Sequence, residues 1–227
     1  MQVLQQENPL RYLCNKIHIE AQCRESGDMR REDLFELHYI APLENVVSIY
    51  QSGILSNKLA QEIKHESLAW EKMQERRSGK VIPGGSSLHD YVNLYICARN
   101  PMLYKVKNKS VCVLRVDPNI LDSPGVVIAN SNAAGDYVRF ASSPSGLDLI
   151  DADLVFAESW IHPNEIETWN HKGIKCAEVL VPDRVDTKFI ENIYVPDAQS
   201  QEILDHQLKA AGLTPRIMIN KHLFFRR

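Results

Sequence analysis

Hydrophobic positions recur at a spacing of two in several short stretches of this chain and at three to four in others, so strands and helices interleave. The clearest stretch is residues 88–104, LHDYVNLYICARNPMLY. Tyr91, Asn93, Tyr95 and Cys97 alternate there with Val92, Leu94, Ile96 and Ala98, giving a strand with two differently clothed faces. Arg99-Asn100-Pro101 breaks it, because the residue before a proline is pushed off the helical region and proline brings no donor to the ladder. Met102 and Tyr104 follow that turn. Strand patterns also fall at residues 34–39, 110–116, 126–129, 174–181, 189–195 and 216–225. Helical spacing runs from 43 to Gly53, through 56–77 and over 198–211, with two helical or mixed segments at 147–160 and 163–169. A polar loop, NSNAAG at 130–135, precedes a further element that begins at Tyr137.

Residues 1–33 read as a short helix and a polar linker, an N-terminal extension that either covers the domain or docks against a partner. One domain is expected over 34–227. With 44% hydrophobic and 24% charged residues the chain is an ordinary soluble globular protein. No run approaches the ~18 apolar residues that span a bilayer, and the start MQVLQQENPLRYL lacks signal-peptide regions, so a cytoplasmic protein without a membrane is expected. Five cysteines with no close pair predict free thiols, and the histidines lack metal-ligand spacing, so no metal is expected. The net charge of -3 argues against an indiscriminate polyanion binder. A nucleic-acid site would be local. The candidate patches are Lys72, Arg76, Arg77 and Lys80; Lys105, Lys107 and Lys109; and Lys221, His222, Arg226 and Arg227.

Two places carry candidate chemistry. Arg76 and Arg77 end a helix, KVIPGGSS at 80–87 forms a flexible loop, and a strand edged with His89 and tyrosines follows. The arrangement suits a phosphate-bearing ligand, although the helix dipole alone gives both arginines a structural motive. In IKCAEVLV at 174–181, alternation puts Ile174, Cys176, Glu178 and Leu180 on one face. An acid there is costly without a partner. A structural salt bridge and a functional carboxylate both satisfy that need.

QERRSGKVIPGGSSLHDYVNLYICARNPMLY, residues 74–104, resembles the central block of the DarT family, toxin enzymes that ADP-ribosylate DNA bases using NAD. That family carries a QxRR-like segment, a Pro/Gly loop, LHDYVPFYF and a PMLY element; Asn93 stands where it has proline. HYIAPLENVVSIYQSGIL, residues 38–55, resembles its first strand and helix, and CAEVLV its QAEFLV strand with the catalytic glutamate. Matched without a gap, Tyr39 falls at the family's first-strand His and Ala41 at its Thr. His38 is one residue out of register, which alternation points to the opposite face.

The resemblance implies Glu178 and Arg77 as catalytic residues, and NAD held by His38, Tyr39, Ala41, Arg77, His89, Tyr95 and Met102. Whether His38 or Tyr39 takes the first-strand role stays open. The target nucleotide would meet Tyr137, Arg139 and Lys172, the last also readable as a solvated lysine. A carboxylate beside the nicotinamide ribose would stabilise the positive charge that develops as the N-glycosidic bond breaks, and would accept a proton from the attacking base.

The implied fold is an α+β ADP-ribosyltransferase fold, with split, mostly antiparallel β-sheets around an NAD cleft and flanking helices. Single-stranded DNA is the expected substrate, since a duplex hides base nitrogens. The acceptor is guanosine or thymidine, and residues 137–172 depart enough from the thymidine-specific pattern to incline the expectation to guanosine. A toxin of a toxin–antitoxin pair is implied, its partner a DarG-like macrodomain antitoxin. Two other readings are an ADP-ribosyltransferase acting on RNA or protein, and a catalytically inactive nucleic-acid-binding module; Glu178 and Arg77 together argue against the second.

Overall fold

The protein is described by a computed structural model over residues 27–68 and 71–225. Most of the predicted extension therefore lies outside the described residues. Its last part is integral to the domain: Met29 is fully buried in the main core, and its N–H donates to the Ile150 carbonyl at 3.2 Å.

The strands are β1 (Leu37–Pro42), β2 (Ile54–Leu55), β3 (Tyr91–Tyr95), β4 (Val111–Val116), β5 (Val127–Ala129), β6 (Phe140–Ser142), β7 (Glu178–Pro182), β8 (Arg184–Val185), β9 (Ile190–Val195) and β10 (Ile217–Ile219). The helices are α1 (Val46–Ser52), α2 (Asn57–Ala60), α3 (Glu71–Ser78), α4 (Pro101–Lys105), α5 (Ala152–Phe156), α6 (Glu165–Ile174) and α7 (Ala198–Ala210). Eight strands form one sheet in the order β10-β9-β4-β1-β3-β7-β5-β6, antiparallel except for β9 and β10; β2 and β8 pair separately. Among the described residues no helix is long and apolar enough to cross a membrane.

The predicted split is a narrow junction within that sheet. β1 pairs with β4 at six positions and β3 with β7 at five, but β1 and β3 share only His38 opposite Tyr95. Beyond that pair the two strands part, and the ladder that would continue along residues 39–42 and 91–94 is replaced by a gap. On one face the halves share a core of Leu37, Ala41, Leu94, Leu114, Val179 and Val181, covered by Val46 and Ile49 of α1 and Leu204 and Leu208 of α7. On the other face two smaller cores stand apart, one around Ile40, Leu103 and Val113, the other around Leu88, Tyr91 and Leu180. A cleft therefore opens on that second face.

Directly opposed residues share a face, so the pairings align Asn192, Arg115, His38, Tyr95 and Glu178 in one row across five strands. Just before β1, Glu36 anchors the row. Its carboxylate lies 3.2 Å from His38 Nε2 and 3.2 Å from Arg115 Nε, and accepts from the Tyr194 hydroxyl at 2.8 Å. Burial would raise Glu36, but His38, Tyr194 and Arg115 together hold it below its ordinary value. Burial and the Glu36 contact push the Tyr194 phenol up to about 12, so it stays a donor.

Several element boundaries differ from the sequence pattern for tertiary reasons. Residues 174–177 do not begin the strand that holds Glu178. Helix α6 runs through Ile174, and the Lys175 side chain is buried, donating to the Val155 and Ala157 carbonyls at 2.7 and 2.8 Å at the end of α5. The helix expected through 56–77 is interrupted between α2 and α3, where Asn45 and the Glu66 backbone exchange two hydrogen bonds of 2.8 and 2.9 Å. Of residues 216–225 only Ile217–Ile219 is strand. Asn100-Pro101 starts a helix as well as ending a strand: buried Asn100 caps α4 through Leu103 N–H at 3.0 Å, with proline at the first turn.

A carboxyl held low in the folded state stabilises fully above its unfolded value, near pH 4.3, and loses that contribution as pH falls through the folded value. The urea midpoint should therefore drop on acidification below about pH 4.3 by more in the wild type than in Glu36→Gln. Parallel curves would show that the Glu36 network is not linked to stability.

Candidate active site

A cavity of about 970 Å³ occupies the cleft where β1 and β3 part. At its floor lies Glu178, the first residue of β7, only 1% exposed and directly opposite Tyr95. Arg77, in the last turn of α3, donates from Nη1 to Glu178 Oε2 at 3.2 Å and reaches Oε1 at 3.5 Å. The backbone N–H of Ala133 donates to Oε1 at 3.3 Å. Desolvating two charges costs several kcal/mol per ion by order of magnitude, and a buried pair is weak as a stabilising device. Such a pair lining a cavity is suited to exchanging partners with a charged ligand.

The surrounding loops fix both groups. Arg77's own carbonyl accepts the Lys80 N–H, the Lys80 ammonium binds the Gly135 carbonyl, and Arg76 Nη2 contacts both Asp136 oxygens at 3.0 and 3.1 Å. Arg76 is thus committed to the loop that carries Ala133. That loop is held from its other side by Asn132 N–H donating to the Gly173 carbonyl of α6 at 2.9 Å. The Pro/Gly segment folds back tightly. Gly84 has a positive φ of 73°, and a Cβ on Gly85 would lie 2.8 Å from the Tyr91 hydroxyl, so only glycine lets the loop close over that ring.

Six of the residues singled out from sequence meet at the cavity wall: Tyr39, Arg77, Tyr95, Met102, Lys172 and Glu178. The others stand elsewhere. His38 shares Glu178's face, yet its ring is buried at the junction, with Nε2 on Glu36 and Nδ1 3.4 Å from the Tyr95 carbonyl. Tyr39 belongs to the opposite face and reaches the cavity through the gap between the strands. Ala41 is buried in the main core. His89 lies behind the wall, 3.0 Å from the Gln74 Oε1 that lines it; burial and the nearby Arg77 guanidinium hold the imidazole below its ordinary value, so it donates as the neutral form. Tyr137, 82% exposed, and Arg139 sit on the outer rim of the 130–139 loop.

Burial and the neighbouring Glu178 raise the Tyr95 phenol well above its usual range and the Cys176 thiol to about 12. Both remain neutral beside the carboxylate. Among the described residues no group of three or more His, Cys, Asp and Glu is placed to hold a metal ion. Sequence reasoning missed Asn132, Ala133, Gln74, Trp160, Ile161 and Phe225. Of these, Gln74 opens the QERR segment and Asn132 and Ala133 belong to the loop NSNAAG, both local signals; Trp160, Ile161 and Phe225 join the site through tertiary packing.

A family model described as "ssDNA thymidine ADP-ribosyltransferase, DarT" matches residues 38–225 and so includes both halves of the sheet, Arg77 and Glu178. The chain belongs to the DarT family. A Thermosipho africanus relative, described as a "DNA ADP-ribosyl transferase-DNA ADP-ribosyl glycohydrolase fusion protein", is 30% identical over 176 residues, 71% of this chain and 42% of that protein. This chain thus spans less than half of that relative's length. The DarT fold recurs in solved structures. Thermus sp. 2.9 DarT in complex with ADP-ribosylated ssDNA superposes with a TM-score of 0.75 at 24% identity, covering 87% of this chain and 100% of the other. The same protein in complex with NAD+ gives 0.71 at 23% identity, with 85% and 98% covered.

Removing Arg77's charge strands a buried carboxylate. Arg77→Met is expected to cost about 3–5 kcal/mol, much of it recovered in Arg77→Met/Glu178→Gln, whose amide oxygen still accepts the Ala133 N–H. Urea denaturation of the four proteins as a double-mutant cycle measures this; strictly additive losses would show that the two groups are not coupled.

Proposed function

We propose that this chain is an NAD-dependent mono-ADP-ribosyltransferase that modifies thymidine in single-stranded DNA, the base named by the matching family model and not the guanosine to which residues 137–172 inclined, with Glu178 and Arg77 as its catalytic pair. The observation that carries this reading is the buried carboxylate paired with a guanidinium at the floor of a large cavity, on a fold shared with DarT structures. NAD supplies an ADP-ribosyl group whose leaving group is neutral nicotinamide. Glu178 faces the ribose carbon as positive charge develops there, and takes the proton of the thymine ring nitrogen as the new carbon–nitrogen bond forms. Arg77, with further N–H groups to offer, holds a pyrophosphate oxygen and fixes the cofactor's bend.

Tyr39 takes the first-strand role because it reaches the cavity, whereas His38 serves the junction beneath it. Tyr95 and Met102 line the reaction centre, Ala41 supports β1 from behind, and His89 acts through Gln74 as a positioning residue. Lys172, Tyr137 and Arg139 border the side on which the nucleotide strand enters. The fusion relative joins a transferase to a glycohydrolase, which supports a toxin whose mark is removed by a DarG-like macrodomain antitoxin acting with it in the cytoplasm. Residues 1–33 would be an extension of the 34–227 transferase domain, with its last residues packed into the core.

With NAD and short oligonucleotides of one base each, the purified protein is expected to transfer ADP-ribose to the thymidine oligonucleotide, and Glu178→Ala to lower the rate by at least about a thousandfold. Transfer to guanosine alone would reassign the acceptor. Labelled protein or RNA with unlabelled DNA would overturn the DNA reading.

A further inference from the structure

From residue 91 to residue 116 the chain has no acid and five cations, in a molecule of net charge -3. The mechanism above uses none of these cations. Two of them cap aromatic rings: Arg99 lies 4.2 Å from the Phe225 ring centre and Lys107 4.0 Å from that of Tyr104. Tyr104, Trp160 and Phe225 meet edge to face, with centroids 5.1–6.1 Å apart, and all three line the cavity that holds Glu178. Trp160 is 8% exposed, while Tyr104 is 46% exposed at the rim.

The cluster is anchored from both sides. Arg99 Nη1 donates to the His222 and Phe224 carbonyls at 3.0 and 3.1 Å, seating Phe225. The segment bearing Trp160 is tied to α6 by His162 Nε2 donating to His171 Nδ1 at 2.7 Å, His171 in turn donating to the Leu154 carbonyl at 2.8 Å. Tyr104 is thus packed edge to face against two aromatic rings, with a lysine over its own ring and a large part in water.

We propose that Tyr104 is the stacking platform for the nucleotide next to the modified base, and that Lys107 passes from the ring face to the phosphate linking the two nucleotides. The proposal rests on the single-stranded DNA reading of this site and deepens it. A lysine over an exposed ring gains less than a stacked base does. The exchange is therefore favourable, and it frees the cation for an anion that arrives covalently attached to the base. The occupant is a strand and not the adenine of the cofactor, because the basic run continues outward through exposed Lys107 and Lys109 to the solvent. A polyanion that leaves the cavity meets those charges; a bounded cofactor does not.

The test compares wild type, Tyr104→Ala and Tyr104→Phe with NAD and thymidine acceptors of one and five nucleotides. Tyr104→Ala should raise KM for the five-nucleotide acceptor roughly 5- to 100-fold, removing its advantage over the shorter one. KM for NAD should stay where it was, and Tyr104→Phe should behave as wild type. Fluorescence anisotropy of a labelled five-nucleotide thymidine strand reads the same subsite without turnover, and in it Lys107→Gln should flatten the salt dependence by about one unit of slope. Tyr104-dependent strand binding without transfer would overturn the catalytic reading and leave the platform standing. A matching rise in KM for NAD, an equal effect on both acceptor lengths, or strand binding indifferent to Tyr104→Ala would overturn the platform.

Discussion

A guanidinium and a carboxylate removed from water each need a partner, and in this protein the two come from different elements on the same side of a parted sheet. Glu178 arrives on β7 and Arg77 at the end of α3, 101 residues earlier in the chain. Their 3.2 Å contact is the point on which the surrounding loops converge. Lys80 and Arg76 bind the loop that lends Glu178 the Ala133 N–H, so the segment that positions the cation also positions the loop that orients the anion. A buried charge pair of this kind is a poor stabiliser. Its retention within the cavity makes sense for chemistry that develops charge where the pair already sits.

The parting of β1 and β3 makes room for that chemistry. Because the two halves share one core on the far face, they cannot separate; because they share only the His38–Tyr95 position in the ladder, the near face gapes. Glu36, Arg115 and Tyr194 hold His38 rigidly at the apex. Of the two candidates for the first-strand contact, His38 is built into the hinge of the cleft, and Tyr39, which falls at the family's His position, reaches the cavity through the gap.

Much of this was legible in the residues themselves. An acid within an apolar alternation drew attention to Glu178, and two arginines before a Pro/Gly loop to Arg77, because both patterns are local. The strand around Glu178 was overextended because burial of Lys175 depends on carbonyls contributed by α5, 18 and 20 residues away. The break between α2 and α3 depends on a long-range exchange between Asn45 and Glu66. Alternation put His38 and Tyr39 on opposite faces, as the structure does, but no periodicity encodes a gap that lets a residue of the covered face line the cleft. Tyr137 and Arg139 were found by family register, which gives chain position without saying that the 130–139 loop turns them to the rim.

The aromatic cluster extends the same logic outward from the reaction centre: rigid groups fixed by tertiary bonds, with charge placed where a charged polymer would pass. All of it presupposes that the dinucleotide lies between Arg77 and Glu178. A crystal structure with a hydrolysis-resistant NAD analogue tests this most directly. The account predicts the nicotinamide ribose against Glu178 and the pyrophosphate against Arg77, in the gap between β1 and β3; an analogue bound elsewhere, with the ion pair undisturbed, would contradict it.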